Sequence, residues 1–229
     1  RILNVNTAKL TYKSFKMSVV KEIKRLDISP DAIYGHFIAP SGMVAADIGS
    51  MLGIPSFLAY GESSPNNYSS FTQEFLASKL NKLSGIIAVS TENKRELLDA
   101  KIINNSDIIG VFPNGIDSSK FYNINKRMAR NKLGISENLF IVAFVGSFIK
   151  RKGIQILSAA LDEFDDVYSF FIGKGDIEPN CNNILYKGSM QNEQIYLYLN
   201  AADLFVLPTQ AEGCCNAIIE AMACGLPII

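Results

Sequence analysis

Three consecutive basic residues lie between two glycines in the segment Gly146-Ser147-Phe148-Ile149-Lys150-Arg151-Lys152-Gly153. The segment follows an apolar run and precedes a helical pattern, so it is predicted to connect a strand to a helix. Backbone amides at the start of a helix favour an anion, and an arginine side chain binds phosphate with two hydrogen bonds. These residues indicate a diphosphate site, and the alternative interpretation is a solvated basic loop.

Two glutamates, Glu212 and Glu220, are separated by seven residues in the segment EGCCNAIIE. Asn216 is predicted to be the N-cap of the following helix, which places Glu212 in a loop and Glu220 in the first turns of the helix. Carboxylates here would accept hydrogen bonds from sugar or ribose hydroxyls, and Gly213 would let the backbone approach a ligand. A pair for acid/base glycoside hydrolysis and simple solvent-facing glutamates remain open on these residues alone.

Two weaker patterns also follow predicted strands. His36 is the only histidine of the chain, and a catalytic role competes there with that of an ordinary core or surface residue. The run Gly173-Lys174-Gly175 lacks the third glycine of a dinucleotide-binding fingerprint, so a simple turn is favoured.

The composition argues against several classes of function. The chain has 22 basic and 22 acidic residues, so it has no net charge with which to attract nucleic acid. Its four cysteines form no C-x-x-C pair, which argues against a zinc site and a disulfide framework and favours a reduced, cytosolic compartment. No apolar run approaches the roughly 18 residues of a membrane-spanning helix.

Short apolar runs alternate with helical patterns along most of the chain. Predicted strands cover 31–38, 55–60, 85–89, 108–112, 140–148, 168–172, 184–186 and 203–207. Predicted helices cover 41–52, 69–83, 91–100, 154–164, 192–199 and 216–224. Turn residues and a basic stretch in 113–131 predict a link between two domains, 1–122 and 123–229. The alternation predicts an α/β fold of two doubly wound, Rossmann-like parallel sheets, with ligands at the carboxyl ends of the strands.

Taken in order, these segments resemble the retaining glycosyltransferase family 4, whose members have the two-domain GT-B fold. The likeness covers nearly all of the chain. It rests on the phrases PDAIYGHFIAPSG, GIPSFLAYGESS, SGIIAVSTENKRELL, IIGVFPNGIDSSKF, FVGSFIKRKG and ADLFVLPTQAEGCCNAIIEAMACGLPII. By comparison with the family pattern, a first strand would precede Arg1 and further elements would follow Ile229, so both domains are expected to be incomplete.

The resemblance implies roles for individual residues. The donor-binding residues would be Gly146, Ser147, Arg151, Lys152, Glu212, Gly213, Cys214, Cys215, Asn216 and Glu220. Lys152 would hold the donor diphosphate, and Arg151 would supply the charge of the arginine that many members carry where this chain has Ser147. Glu220 would bind the ribose hydroxyls, while His36 and Glu212 would face the donor sugar and act in catalysis. The loop after Tyr60-Gly61, with Glu62 and Ser63, would contribute to acceptor selection.

The reaction implied by the resemblance is transfer of a sugar with retention of configuration, without a metal ion or other cofactor. The donor would be a UDP- or GDP-sugar, and the acceptor a hydroxyl of a glycan or a lipid-linked molecule in bacterial-type polysaccharide or lipopolysaccharide biosynthesis. The enzyme would be cytoplasmic, or peripheral at the inner face of the plasma membrane. The basic residues between Lys9 and Arg25 fit either a membrane-contacting face or a solvated helix face. A catalytically degenerate sugar-nucleotide-binding scaffold and a GT-B sugar-nucleotide epimerase are the alternative functions.

Overall fold

The computed structural model describes residues 7–61 and 68–229, which form two compact α/β units. The first unit extends to Pro113 and includes Glu212–Cys214, and the second comprises Asn114–Ala211 and Cys215–Ile229. The domain boundary after residue 122 stays a prediction. Phe121, on the N-terminal side of that boundary, is buried in the hydrophobic core of the second unit.

The first unit contains a four-stranded parallel sheet in the order β1-β2-β3-β4. Helix α1 (Thr7–Arg25) precedes β1 (Ile33–His36), α2 (Met43–Leu52), β2 (Ser56–Tyr60), α3 (Gln73–Leu80), β3 (Gly85–Ala88), α4 (Thr91–Asp99) and β4 (Ile109–Val111). Leu58 on the second strand pairs with Gly35 on one side and with Ile86 on the other. Each of the first three strands is followed by a helix that returns the chain to the amino end of the sheet, because consecutive parallel strands need such a crossover.

The second unit contains another four-stranded parallel sheet, in the order β7-β6-β5-β8. Its elements are α5 (Lys126–Leu133), β5 (Phe140–Val145), α6 (Ile154–Leu161), β6 (Val167–Ile172), β7 (Ile184–Gly188), α7 (Asn192–Ala201), β8 (Leu204–Phe205) and α8 (Asn216–Ala223). Ile228 adds an isolated parallel bridge to Phe205. The two parallel sheets confirm the α/β, Rossmann-like fold class predicted from the alternation of strands and helices.

Local side-chain chemistry sets several helix boundaries. The hydroxyl of Ser90 accepts a hydrogen bond from the amide of Asn93 at 3.1 Å, so α4 begins at Thr91, the first residue of the predicted helix 91–100. Helix α3 begins later than predicted because Thr72 caps it, accepting from the amide of Phe75 at 3.3 Å. Gly53 ends α2 in the left-handed conformation (φ 70°), directly after the predicted helix 41–52.

The basic stretch that was predicted to lie in the linker is helical in the structure, so that part of the linker prediction was wrong. Residues 126–133 form α5, capped by Asn125 at its start and by Gly134 at its end. Arg130 is buried and bonds the carboxylate of Asp203 at 2.6 Å. Asp203, 73 positions away along the chain, therefore anchors this helix. The periodicity of the short basic run does not reveal this partner.

Both sheets have buried, apolar centres that hold their strand ends in place. The core of the first unit includes Leu58 and Tyr60, and that of the second includes Phe144, Phe171 and Phe205. Because all strands within a sheet are parallel, the loops that follow them emerge at one edge. Within residues 7–61 and 68–229, no helix has the length and hydropathy needed to cross a bilayer.

Candidate donor site and the family of the chain

The two motifs that the sequence singled out separately meet in the second unit. Strands β5 and β8 are neighbours, so the loops after them leave the same edge of the sheet. The ammonium group of Lys152, which follows β5, lies 3.9 Å from the thiol sulfur of Cys215, which directly precedes α8. Both side chains are half-buried. The structure therefore brings a lysine from the basic run to the amino end of the helix that carries Glu220.

Arg151 links the same two loops through its backbone and its side chain. Its carbonyl oxygen accepts the amide of Gln210 at 2.9 Å, and its guanidinium donates to the carbonyl oxygen of Ala211. Gly153, two residues later, has a left-handed conformation (φ 73°), and a Cβ atom there would overlap the carbonyl oxygen of Pro208. Glycine is therefore required for the close approach of the two loops. The predicted role of Arg151 as a substitute phosphate cation is untested, and its guanidinium has a structural bond to the neighbouring loop.

A cavity of about 270 Å³ opens at the carboxyl ends of β5, β6 and β7. Gly146 and Gly173, the residues after two of these strands, form part of its wall. Its polar side chains are Ser147, Lys174 and Ser189, and its apolar side chains include Ile172, Met190 and Ile195. An apolar slot with a few polar groups at strand ends has the character of a site for a ring-containing ligand.

The carboxylate of Glu220 is half-buried on α8, and burial raises its pKa above the usual value. Among the described residues, no side chain or backbone amide donates a hydrogen bond to this carboxylate. A desolvated carboxylate without a donor is costly, and its acceptor capacity would be satisfied by hydroxyl groups of a ligand. This geometry fits the ribose-binding role that the resemblance implies for Glu220.

The other residues at the start of α8 are placed differently from the prediction. Cys215, not Asn216, is the N-cap residue of α8, and it makes no side-chain capping bond. The prediction that Asn216 caps the helix was therefore wrong. The side-chain oxygen of Asn216 instead accepts a hydrogen bond from the side-chain amide of Asn114 at 2.8 Å. This bond joins residues 102 positions apart, so the local sequence does not reveal it.

Glu212, Gly213 and Cys214 belong to the first unit by their contacts, and all three are half-buried. His36, at the carboxyl end of β1, is exposed in that unit. Its Nδ1 atom lies 3.2 Å from the hydroxyl of Tyr34. Glu62 and Ser63, predicted to contribute to acceptor selection, lie outside the described residues. Across the part of the chain that the structure describes, no three His, Cys, Asp or Glu side chains are grouped so that they could hold a metal ion.

Comparison with known proteins identifies the family in which these strand-end motifs occur. Residues 125–229 match the family model described as Glycosyl transferases group 1. Over 226 residues, the chain is 33% identical to the putative teichuronic acid biosynthesis glycosyltransferase TuaC of Bacillus subtilis, covering 95% of this chain and 57% of TuaC. The chain belongs to the glycosyl transferases group 1 family.

A second relative and a solved structure extend the comparison for this group 1 chain. The GDP-mannose-dependent alpha-mannosyltransferase of Corynebacterium glutamicum is 28% identical over 222 residues, covering 89% of this chain and 51% of that enzyme. HepE of Anabaena, solved in complex with UDP, superposes with a TM-score of 0.74 at 22% identity, covering 93% of this chain and 62% of HepE. These likenesses confirm the GT-B fold class. The chain spans little more than half the length of the curated relatives.

Three residues near the candidate sites of this group 1 chain were not identified as functional from the sequence. Lys174 lines the cavity beside Ser147, although the short glycine run around it was interpreted as a turn. Tyr34 contacts the candidate catalytic histidine. Phe37 has a backbone conformation (φ 67°, ψ 161°) that is almost confined to glycine. For Tyr34, the alternation of side chains along a strand was the signal that would have placed it beside His36.

Proposed function

We propose that the protein transfers a sugar, with retention of configuration, from a nucleoside-diphosphate sugar to a hydroxyl of a glycan or glycolipid acceptor. The observation that carries this proposal is the meeting of Lys152 with the start of α8, the helix that bears Glu220. A cation near the N-terminus of a helix suits a diphosphate, and a desolvated carboxylate farther along the same helix suits ribose hydroxyls. A nucleoside diphosphate carries both a diphosphate and ribose hydroxyls, and the ribose ring separates the two.

The chemistry needs positioning and charge stabilisation more than a protein nucleophile. In the proposed step, the bond between the sugar C1 atom and the diphosphate oxygen breaks. The acceptor oxygen forms the new bond to C1 on the same face of the ring. The acceptor proton passes to an oxygen of the departing diphosphate, whose negative charge Lys152 stabilises. No metal ion or cofactor is required in this scheme, because Lys152 and backbone amides hold the leaving group.

His36 and Glu212 are proposed to face the donor sugar. Both lie in the first unit, His36 at the carboxyl end of a strand and Glu212 in a loop. Such positions carry binding and catalytic residues more often than element interiors do. An exposed imidazole donates or accepts hydrogen bonds near neutral pH, and a carboxylate accepts them from sugar hydroxyls. The two residues would orient the sugar ring for attack at C1.

The relatives support a place in the synthesis of polysaccharides or glycolipids. TuaC is named for teichuronic acid biosynthesis, and a 24% identical relative from Streptococcus pneumoniae is an alpha-galactosylglucosyldiacylglycerol synthase. HepE was solved with UDP, whereas the Corynebacterium enzyme depends on GDP-mannose. The donor base is therefore proposed as uridine or guanosine.

A peripheral contact with the inner face of the plasma membrane, in the cytoplasm, is part of the same proposal. The outer side of α1 carries the exposed lysines Lys13, Lys21 and Lys24 next to the exposed apolar residues Leu10 and Met17. Basic and apolar side chains on one helix face are typical of surfaces that bind anionic lipid.

Turnover by the whole protein that contains this chain tests the proposal. The protein is supplied with UDP-, GDP- and ADP-sugars and with glycan and lipid-linked acceptors, the latter in anionic vesicles. We expect acceptor-dependent release of one nucleoside diphosphate and a product whose anomeric proton signal shows the donor configuration. A product with the inverted anomeric configuration would contradict the retaining mechanism. Binding of a nucleotide sugar without turnover would support the scaffold alternative. If the activity on vesicle-bound acceptor does not depend on the salt concentration, the proposed membrane contact is contradicted.

A further inference from the structure

The carboxyl end of β1 carries a tyrosine and a histidine on the same face of the sheet. Tyr34 and His36 are two residues apart on the strand, so their side chains point to one side. The phenol oxygen of Tyr34 lies 3.2 Å from Nδ1 of His36. Tyr34 is 57% exposed, so this contact contributes little to the core of the first unit.

Phe37 confines the imidazole from a second direction. Its ring meets that of His36 edge-on, with the ring centroids 4.2 Å apart. The backbone of Phe37 lies in a region that costs a non-glycine residue on the order of 1–3 kcal/mol. Hydrogen bonds hold it there: its amide donates to Ala59 at 2.9 Å, and its carbonyl oxygen accepts from Gly42 at 3.0 Å. Strain of this kind persists where the surrounding structure requires it, and it is frequent at functional sites.

The backbone beneath the histidine is also closely packed. A Cβ atom on Gly35 would lie 2.6 Å from the Cα atom of Gly42, the residue before α2. Strand and helix therefore approach each other to a distance that only glycine permits. The hydroxyl of Ser41 donates to the carbonyl oxygen of His36 itself. These contacts hold the backbone of His36 in place, so the ring orientation depends on Tyr34 and Phe37.

A neutral imidazole carries its proton on one nitrogen only. Nδ1 of His36 has the Tyr34 hydroxyl as its partner, and within the described part of the chain Nε2 has none. A phenol hydroxyl is a strong donor and its oxygen a weak acceptor, so Nδ1 is the acceptor and the proton resides on Nε2. We infer that Tyr34 is a positioning residue, which holds His36 as the Nε2–H tautomer and directs that N–H group at an oxygen of the bound donor.

This inference rests on the proposed function, because it assigns a donor group to the histidine that faces the sugar. The N–H group of Nε2 would donate to a sugar hydroxyl or a phosphate oxygen, and no proton is transferred. A histidine of the other tautomer would present a bare nitrogen, which repels a phosphate oxygen and can only accept a hydrogen bond from a sugar hydroxyl. Control of the tautomer by a neighbouring hydrogen bond is the usual way in which proteins define the role of a histidine.

Nitrogen-15 NMR of the imidazole tests the inference without turnover. In the whole protein, the signals of His36 are assigned by their loss in His36→Gln. We expect the wild-type signals at neutral pH to be those of the Nε2–H tautomer, and Tyr34→Phe to produce a mixture of both tautomers. Tyr122→Phe is the matched control, since it removes another exposed phenol hydroxyl, one that bonds Tyr196 in the second unit. It should leave the histidine signals unchanged.

Kinetics of the same variants test whether the hydrogen bond matters for transfer. Loss of one hydrogen bond predicts that Tyr34→Phe lowers kcat by about 3- to 10-fold, with the KM for the donor nearly unchanged. If Tyr34 acts through His36, the same change made in the His36→Gln background should have almost no further effect. Because Tyr34 is exposed and only its hydroxyl is removed, the variant should fold like the wild type.

Three outcomes overturn the inference or separate it from the proposed function. Unchanged histidine signals in Tyr34→Phe would contradict the tautomer assignment. Equal losses of kcat from Tyr34→Phe in the wild-type and His36→Gln backgrounds would show that Tyr34 does not act through the histidine. If Tyr34→Phe changes the tautomer but the protein turns over no nucleotide sugar, the hydrogen bond between Tyr34 and His36 is supported and the transferase function is rejected.

Discussion

At the scale of single residues, Glu220 combines two properties that stability alone does not favour. Its carboxylate is half-buried and receives no hydrogen bond from the described residues, and burial raises its pKa. A group with this environment binds a proton more tightly in the folded than in the unfolded state. Its ionised form therefore destabilises the folded protein, and binding of ribose hydroxyls would compensate for that cost.

Replacement of Glu220 by glutamine is expected to stabilise the free protein and to weaken nucleotide binding. The folded wild type holds more protons than the unfolded chain between the ordinary glutamate pKa of about 4.3 and the raised value, so its unfolding free energy falls as the pH rises through this interval. The advantage of Glu220→Gln should thus be absent at low pH and largest near neutral pH. Denaturant titrations at several pH values measure it.

Glu193→Gln, at an exposed position on α7, is the control for that series. It should change neither the pH dependence of stability nor the affinity for nucleotide. A Glu220→Gln variant that is less stable than the wild type at neutral pH would show that the carboxylate has a structural partner. The ribose-binding role would then lose its physical argument.

Single residues also show what the sequence reveals about the site. Lys152 and Glu220 were selected from their motifs, and the structure places Lys152 beside the N-cap residue of α8, the helix whose second turn carries Glu220. Asn216 was predicted as a cap from its residue type, but a partner 102 positions away, Asn114, engages its side chain. Tyr34 was not selected, because a tyrosine in a strand is ordinary until its hydroxyl is seen beside Nδ1 of His36. Contacts between distant segments decide these cases, and local patterns do not contain them.

At the scale of elements, one buried carboxylate joins three helices of the first unit. Asp47 on α2 accepts hydrogen bonds from Lys16 of α1 at 2.8 Å and from Lys79 of α3 at 3.0 Å, and also from the hydroxyl of Tyr12. Burial alone would raise the pKa of Asp47, but these donors bring it down to about 2. The sequence indicated α2 and α3 by their periodicity, whereas this polar connection between helices had no local signal.

Asp47→Asn is expected to destabilise the protein at neutral pH by about 1–3 kcal/mol, because both lysines and the tyrosine lose a charged acceptor. The folded-state pKa of Asp47 lies below the unfolded value, so its contribution is present above about pH 4 and is lost as the pH falls towards 2. Urea titrations of the wild type and Asp47→Asn between these pH values measure how their unfolding free energies converge as the pH falls.

The exposed Asp99 on α4 supplies the comparison for Asp47. Asp99→Asn should have nearly the stability of the wild type at every pH, since exposed charges contribute little. A difference between Asp47→Asn and the wild type that stays constant from pH 7 to about pH 2.5 would contradict the charge-based role of Asp47.

At the scale of the whole molecule, parallel sheets explain why the functional residues lie in loops that are far apart in sequence. The alternation of strands and helices predicted both sheets, because period and length are local properties. Helix α5 was assigned to the linker, since its anchor, the bond from Arg130 to Asp203, joins residues 73 positions apart. The strand-end location of the basic run and the glutamates followed from the fold class, and the contact between Lys152 and Cys215 required the structure.

The central claim is that the second unit binds a nucleoside diphosphate through Lys152. A thermal-shift series on the whole protein with UDP, GDP and ADP, on wild type, Lys152→Ala and Lys132→Ala, tests it most directly. Lys132 is exposed on α5 of the same unit and serves as the control. One diphosphate at about 100 times its Kd should add about 2.7 kcal/mol to the unfolding free energy of the wild type and of Lys132→Ala, and much less to that of Lys152→Ala. Stabilisation that is equal in all three proteins, or absent with every diphosphate, would contradict the claim.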